Sequence, residues 1–442
     1  MKKKKNFMAD GKNGSHHLQA VMENAREDSG QQSTDLTLRA GHKIQLFGRD
    51  FNKIILVTHI NIFLYAACFW IQTGTLPYLS KKLGVNPVMF GYLQTTFAVV
   101  QLAGGPLFGR FGDIFGGRAA MTLAFSASAI TYLILSMSST VPLLFLSRLP
   151  SVFMHAMQGG QMIVTDLGEE GKRADSLGKL GLSYGVGMVV GPAVGGLITK
   201  HLGEEASAFT AFLGSILSIL LVLKFIPIYK KKAHQSDESS NSSSSSSSGV
   251  FSLRKWFSLI MAPGAFLLLA IRMASGVPIG VFESMFQVVA LETFKLPPDQ
   301  NGYIMSYIGI LTMIVQGLGV GVLLKKFSEN SILKWASFIL IWSYLMLSYV
   351  TNVWQLYLVM APLVTGLASQ NIVISSALTK TVEHTDTGAM LGLNMAVNSL
   401  IRTMSPTVGG IMLSSYGFPA FGYFGFGISI LVTSVLFGKL RD

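Results

Sequence analysis

The chain has 442 residues, half of them hydrophobic and only 13% charged, against about 25% charged in an ordinary soluble protein. The apolar residues gather in blocks of about 20, the length that crosses a bilayer core, which excludes a soluble domain and indicates a polytopic membrane protein. The net charge of +12 is therefore read through its distribution among the loops, not as affinity for nucleic acid.

Residues 1–50 are polar, with Lys2 to Lys5 at the start and no apolar block directly behind them, so no signal peptide is read there. They are expected to form a disordered cytoplasmic tail. His16 and His17 have no partner ligands nearby, and no metal site or cofactor is expected. The single cysteine, Cys68, lies in an apolar run and excludes an internal disulfide.

Apolar blocks follow at about 54–79, 88–109, 118–138, 141–165, 177–199 and 206–228. A serine-rich hydrophilic linker, 229–258, separates them from six more, at about 263–290, 302–324, 332–350, 353–379, 388–413 and 417–437. The expected organisation is an all-α membrane protein of twelve transmembrane helices. They form two pseudo-symmetric six-helix bundles, 51–228 and 259–438, with a short cytoplasmic terminus at 439–442.

Lysine and arginine set the orientation. Arg110, Arg118, Lys172, Arg173, Lys179, Lys224, Lys230 to Lys232, Arg254, Lys255, Lys325, Lys326 and Lys334 fall on one set of loops. Only Lys81, Lys82, Lys200 and Lys295 fall on the other. The positive-inside rule places both termini in the cytoplasm.

Within the fifth block Gly187, Gly191 and Gly195 recur every four residues, and Gly196 follows. On a helix these small residues form a groove for a second helix, and Pro192 softens the helix there. The run GPAVGG (Gly191–Gly196) returns as SPTVGG (Ser405–Gly410, with Ser405, Pro406, Gly409 and Gly410), 214 residues later. Leu177-Gly178 returns as Leu391-Gly392 at the same offset, and Gly91-Tyr92 as Gly302-Tyr303 at 211. Such parallel repeats place a substrate cavity between the halves near mid-membrane. The second groove is expected to be shallower, because Ile401 stands opposite Gly187.

The loop GRFGDIFGGR (Gly109–Arg118) and the run from Gly187 to Gly196 resemble two signatures of the major facilitator superfamily of secondary transporters. The second pattern is enriched in its proton-antiporter branches. Gly109, Asp113, Gly116 and Arg118 fit the loop signature, whereas Ile114 and Gly117 stand where basic residues are usual. The stretches Gly91–Arg110, Ser147–Leu167 and Asp386–Gly410 look like the organic-cation-transporter-like solute carriers. The resemblance implies transport of small organic cations, with proton exchange as the drive. It also implies a conformational latch in which Asp113 caps a helix and Arg118 pairs with Asp166. Arg148 matches the arginine of a third signature, implicated in coupling, although Val152 replaces that signature's glycine.

Polar groups inside spans are costly and mark pathways. The fourth block carries Arg148, Ser151, His155, Gln158 and Gln161 at spacings of three and four, expected as one helical stripe. The seventh carries Arg272 and Glu283, eleven residues apart, so that three helical turns are expected to bring them to one face, and the eleventh carries Asn394, Asn398 and Arg402. Glu283 and His155 are candidate proton sites, each with a plain structural alternative: an ion pair for the glutamate, a hydrogen bond within the bundle for the histidine. Three arginines against one glutamate leave an anionic substrate open.

The sequence thus reads as a non-enzymatic, monomeric carrier of small organic solutes, embedded in a bilayer and exchanging them for protons by alternating access. A facilitator, an anion carrier or a transporter-like scaffold for signalling are the alternatives. No nucleotide-binding loop or nucleophile motif is found. The membrane, plasma (apical included) or internal, is not named by any sorting signal.

Overall fold

The computed structural model describes residues 43–46, 49–167, 173–228, 259–262, 264–383 and 386–439. The chain divides into two units, Met1–Val57 and Thr58–Asp442. In the first, β1 (Lys43–Leu46) pairs antiparallel with β2 (Arg49–Asn52), with Lys43 opposite Asn52 and Leu46 opposite Arg49. Most of the expected disordered tail lies outside the described residues, but its last part is this hairpin. Its alternation of Ile44 and Leu46 with polar neighbours was the available signal. The serine-rich linker also lies outside the described residues.

The second unit is helical throughout its described residues. In order come α1 (Lys53–Lys82), which begins in the first unit, α2 (Pro87–Ser136), α3 (Val141–Leu146) and a 3-10 turn (Leu149–Phe153). Then come α4 (Ala156–Leu167), α5 (Arg173–Leu202), α6 (Glu204–Phe225), α7 (Ala265–Glu292) and α8 (Pro298–Ile314). A π-helical turn (Val315–Gly319) leads to α9 (Val320–Lys326), α10 (Glu329–Ser348), α11 (Val353–Thr379), α12 (Thr387–Tyr416) and α13 (Pro419–Lys439). Among the described residues, nine helical stretches are long and apolar enough to cross a bilayer.

Local chemistry sets several of these boundaries. Asn86 accepts the Met89 N–H at 2.8 Å and Pro87 opens α2, a combination that satisfies an end donor and presets the first helical turn. Asn352 accepts the Gln355 N–H at the start of α11 in the same way. The helix α2 runs for 50 residues, about 75 Å at 1.5 Å per residue, more than twice a bilayer core. It bends at Gly116, where φ 83° and ψ 166° are open to a residue without a side chain. Gly203 (φ 92°) separates α5 from α6, and Gly417 (φ 74°), 214 residues on, separates α12 from α13. The repeat read from the sequence thus extends to the turn that ends each copy.

The fourth apolar block departs from expectation. It is not one helix: α3 gives way to the 3-10 turn, in which Pro150 lacks an amide donor, and α4 begins only at Ala156. The polar stripe predicted for it is therefore broken. Arg148 and Ser151 are buried, His155 stands at the junction, and Gln158 and Gln161 are exposed. Backbone carbonyls freed within a membrane need other donors. Here the Met154 carbonyl accepts from the Tyr65 hydroxyl of α1 at 2.8 Å and from the Gln101 amide of α2 at 3.4 Å.

Two apolar clusters show how the helices are joined. One draws residues of both halves together, including Leu76, Leu79, Phe90 and Leu93 with Val281, Phe282, Met285 and Phe421. The other, around Leu269, Ile332, Val373, Met390 and Leu436, belongs to the second half alone.

Candidate functional site

The halves meet chiefly through two helix pairs, α5 with α8 and α12 with α2. A Cβ on Gly196 would strike the Pro298 carbonyl of α8, and one on Gly302 would strike the Pro192 carbonyl of α5. The repeat places the same reciprocity on the other side: Gly410 against the Pro87 carbonyl (2.6 Å) and Gly91 against that of Pro406. Farther along, Ser306 donates to the Val189 carbonyl at 2.6 Å, and Thr95 to that of Thr403 at 3.2 Å. These four residues are again mates at offsets of 211 and 214.

One end of this interface carries a charge pair. Lys200, at the end of α5, meets Asp299, at the start of α8, at 2.7 Å. The Tyr78 hydroxyl donates to the Leu296 carbonyl at 2.9 Å beside it. Sequence reasoning counted Lys200 only as a loop charge and missed Asp299; opposite charges on helix ends from the two halves were the available signal. Toward the other ends of α5 and α12, Gly178, Gly181 and Gly392 have nothing among the described residues within 4 Å of a Cβ position. Leu182 and Met395 are 60% and 68% exposed there.

The grooved face of α5 packs inside its own half. Gly187, Gly191 and Gly195 take the α1 backbone at Phe63, Ala67 and Ile71, with Cβ distances of 2.7, 2.6 and 2.9 Å. In the second half the roles are exchanged. Ile401 fills the space over Gly276 and Gly280 of α7, while Gly409 takes the Val281 carbonyl and Ser405 packs on Gly280. The fifth and eleventh blocks thus occupy equivalent places.

Arg148 is the largest fully buried side chain of the described residues, at 1% exposure. Its Nη1 donates to Gln72 Oε1 at 3.0 Å, and its guanidinium stands 5.9 Å from the Phe97 ring centre. Among the described residues Nε and Nη2 have no hydrogen-bond partner, and the neighbouring Tyr132 hydroxyl has none either. No carboxylate pairs with Arg148 among the described residues. A cation held this way retains strong demand for an anionic or accepting group. His155 packs against the Phe108 ring at 5.5 Å, with Nε2 unpartnered.

In the second half Arg272 gives Nε and Nη2 to Asn398 Oδ1 at 3.1 and 2.6 Å. Asn394 donates to Ser375 at 3.2 Å and Gln370 to Ser337 at 2.9 Å. These groups are largely spent on one another. Glu283 and Arg402 are not. Both are exposed, and they lie within electrostatic reach of each other without forming an ion pair among the described residues. Tyr184 of α5 and Tyr344 of α10 also fall within reach of Glu283. Glu283 thus keeps exposed surface, with Tyr184 of the first half and Arg402 and Tyr344 of the second within reach. Three turns of α7 were expected to bring Arg272 onto its face, but Arg272 is buried against α12 instead.

At the opposite end, Gly109 has open space at its Cβ position, Asp113 is exposed and Asp166 is half-buried. Arg118, expected to face Asp166, donates to the Leu223 carbonyl at 2.8 Å, tying the bend at Gly116 to α6.

The Major Facilitator Superfamily model matches residues 58–370. The chain belongs to the major facilitator superfamily. It is 38% identical over 406 residues to the human protein named solute carrier family 67 member A1, covering 91% of this chain and 95% of that one. It is 39% identical over 391 residues to rat solute carrier family 22 member 18, covering 87% and 94%. The expected resemblance is borne out at this level. Its fold matches the nucleoside transporter NupG with a TM-score of 0.71 at 18% identity, covering 88% of this chain and 99% of that one. A transporter of small solutes embedded in a membrane is what this membership establishes.

Proposed function

We propose that this superfamily member is a twelve-span secondary transporter that exchanges a small charged organic solute for protons by alternating access. The observation that carries the reading is the combination of ends. Reciprocal glycine–proline contacts close the halves at one end, while the mates Gly178 and Gly392 stand in open space toward the other. Glu283 and Arg402 lie exposed between them. The count of twelve follows if α2 is two spans joined at Gly116, α3 and α4 form one broken span, and α12 spans as well. With both termini cytoplasmic, the closed end faces outward.

In this scheme Glu283 is the carboxylate that takes either a proton or a cationic solute. Exchange follows because one group cannot hold both. Arg148 (held by Gln72), Arg402, His155 and Gln158 complete the coupling and binding set, while Arg272, Asn394 and Asn398 fix the wall of the second half. Gly109, Asp113, Gly116, Arg118 and Asp166 form the latch that engages when the open end shuts.

Purified full-length protein in liposomes tests this. Uptake of a radiolabelled organic cation is expected to follow an imposed pH gradient, and Glu283→Gln to abolish that dependence. Uptake indifferent to the gradient in the native chain overturns the exchange. A second reading rests on Arg148, which lacks a carboxylate, and on Arg402, which is exposed: an anionic solute. Counterflow with organic anions alone selects it.

A further inference from the structure

The membrane-facing surface of the second half contains a groove that the transport cycle does not use. It lies between α9, α10 and α11, with a volume of about 430 Å³, and its walls are almost wholly apolar. Leu323, Phe327, Ile332, Trp335, Ile339 and Gly366 form much of its lining. At Gly366 α10 packs closely on α11, since a Cβ there would stand 3.0 Å from the Leu340 side chain. Phe327 and Trp335 are 54% and 66% exposed at its edge. The π-helical turn at Val315–Gly319 offsets α9 from α8 just before the groove, and such turns recur at functional sites.

Charge decides what this groove fits. Lys325 and Lys326 occupy the last turn of α9, two residues and one residue before Phe327, and both are exposed. Neither makes an ion pair among the described residues. The nearest carboxylate in sequence, Glu329, is already engaged by Lys380 at 2.8 Å and by the Ser376 hydroxyl at 2.8 Å. Nearby Lys334 stands over the Phe437 ring, 5.5 Å from its centre. An apolar slot in a bilayer-spanning surface, with two exposed lysines on the turn that leads into its lining residue Phe327, matches an acyl chain carrying a negative headgroup. Trp335 marks the depth at which hydrocarbon gives way to headgroups.

We propose that this groove is a binding site for an anionic glycerophospholipid, with one acyl chain between α10 and α11 and its phosphate on Lys325 and Lys326. The assignment rests on the membrane setting and not on the transported solute, so it stands or falls separately from the exchange reaction. The apolar walls hold any acyl chain alike, and discrimination comes from the lysines, at about fivefold per charge (about 1 kcal/mol).

The test uses the full chain in phosphatidylcholine nanodiscs, with a minor fraction of lipid brominated in its acyl chains. Quenching of the Trp335 fluorescence, taken as the difference between the native chain and Trp335→Phe, reports occupancy of the groove. Brominated phosphatidylserine is expected to quench it at several-fold lower mole fraction than brominated phosphatidylcholine. Lys325→Gln with Lys326→Gln, both at exposed positions, is expected to remove that preference without lowering the quenching by phosphatidylcholine. Equal quenching by the two lipids, or a preference that survives the double substitution, overturns the proposal.

Discussion

Adding one methyl group at Gly302 tests whether the contacts between the halves form a closure that opens. In this structure its Cβ would strike the Pro192 carbonyl, with Ala193 Cα at 3.3 Å. Both belong to backbone of a continuous helix and cannot swing aside, so α5 and α8 must separate. Overpacking of this kind costs about 1–3 kcal/mol. The gain in helix propensity from glycine to alanine, about 1 kcal/mol, applies equally to both conformations and cancels from their ratio. Gly302→Ala is therefore expected to shift the ratio of closed to open forms about 5- to 150-fold toward opening at this end. Gly392→Ala is the control, since nothing lies within 4 Å of its Cβ position, and it should leave the closed end unchanged. The single cysteine makes the measurement direct. In a Cys68→Ala background, spin labels at Leu202→Cys and Tyr416→Cys, both well exposed near the closed end, report the separation of the halves. A longer-distance population should grow in Gly302→Ala and not in Gly392→Ala. Identical distance distributions in the native chain and in Gly302→Ala, both monodisperse, refute the reasoning.

Two further predictions use other contacts. Lys200→Asp should lengthen the same distances by breaking the pair with Asp299, and Lys200→Asp with Asp299→Lys should restore them; failure of the exchange to restore closure shows that the pair does not hold the halves. Gln72→Ala removes the one hydrogen bond given to the buried Arg148 guanidinium among the described residues, at about 1–3 kcal/mol for a stranded buried group. A lower thermal midpoint is expected, with less loss in Gln72→Glu, which keeps an acceptor at that place.

The sequence made the spans legible because hydrocarbon leaves little choice: a run of about 20 apolar residues has nowhere else to lie. The repeat was legible because Gly191 to Gly196 and Ser405 to Gly410 answer to backbone contacts, which tolerate few substitutions. Block four was misread for a physical reason. Polar spacing of three and four signals a helix only while the helix continues, and Pro150 interrupts it. Its repair comes from Tyr65 and Gln101, distant in sequence and unremarkable there. Glu283 was visible as a lone carboxylate in an apolar block, but its company was not. Periodicity placed Arg272 beside it, whereas α12 supplies Arg402 instead and Asn398 takes Arg272 away. Contacts between helices from different halves are set by packing, and no local pattern encodes them.

The two closures are related by the repeat but are not equal, and this bears on how the carrier moves. Along α5 and α8, Gly196, Gly302, Gly309 and Gly185 all admit the opposing helix, and the Lys200–Asp299 pair ties their ends. Along α12 and α2 only Gly410 and Gly91 do so, and Ser414 and Val88 stand at the positions of Lys200 and Asp299. What α2 and α12 have instead is a hydroxyl contact, Thr95 to Thr407 at 2.8 Å. A hydroxyl pair exchanges readily with water, whereas deep glycine contacts must be withdrawn together before water can replace them. Opening at this end therefore meets less resistance along α2 and α12. That pairing includes the helix carrying Arg402, which packs on α7 through Ile401, Ser405 and Gly409, so the first movement would carry Arg402 and Glu283 together away from α2. The side of the pseudo-symmetric machine that yields first is thus the side on which the exposed charges sit.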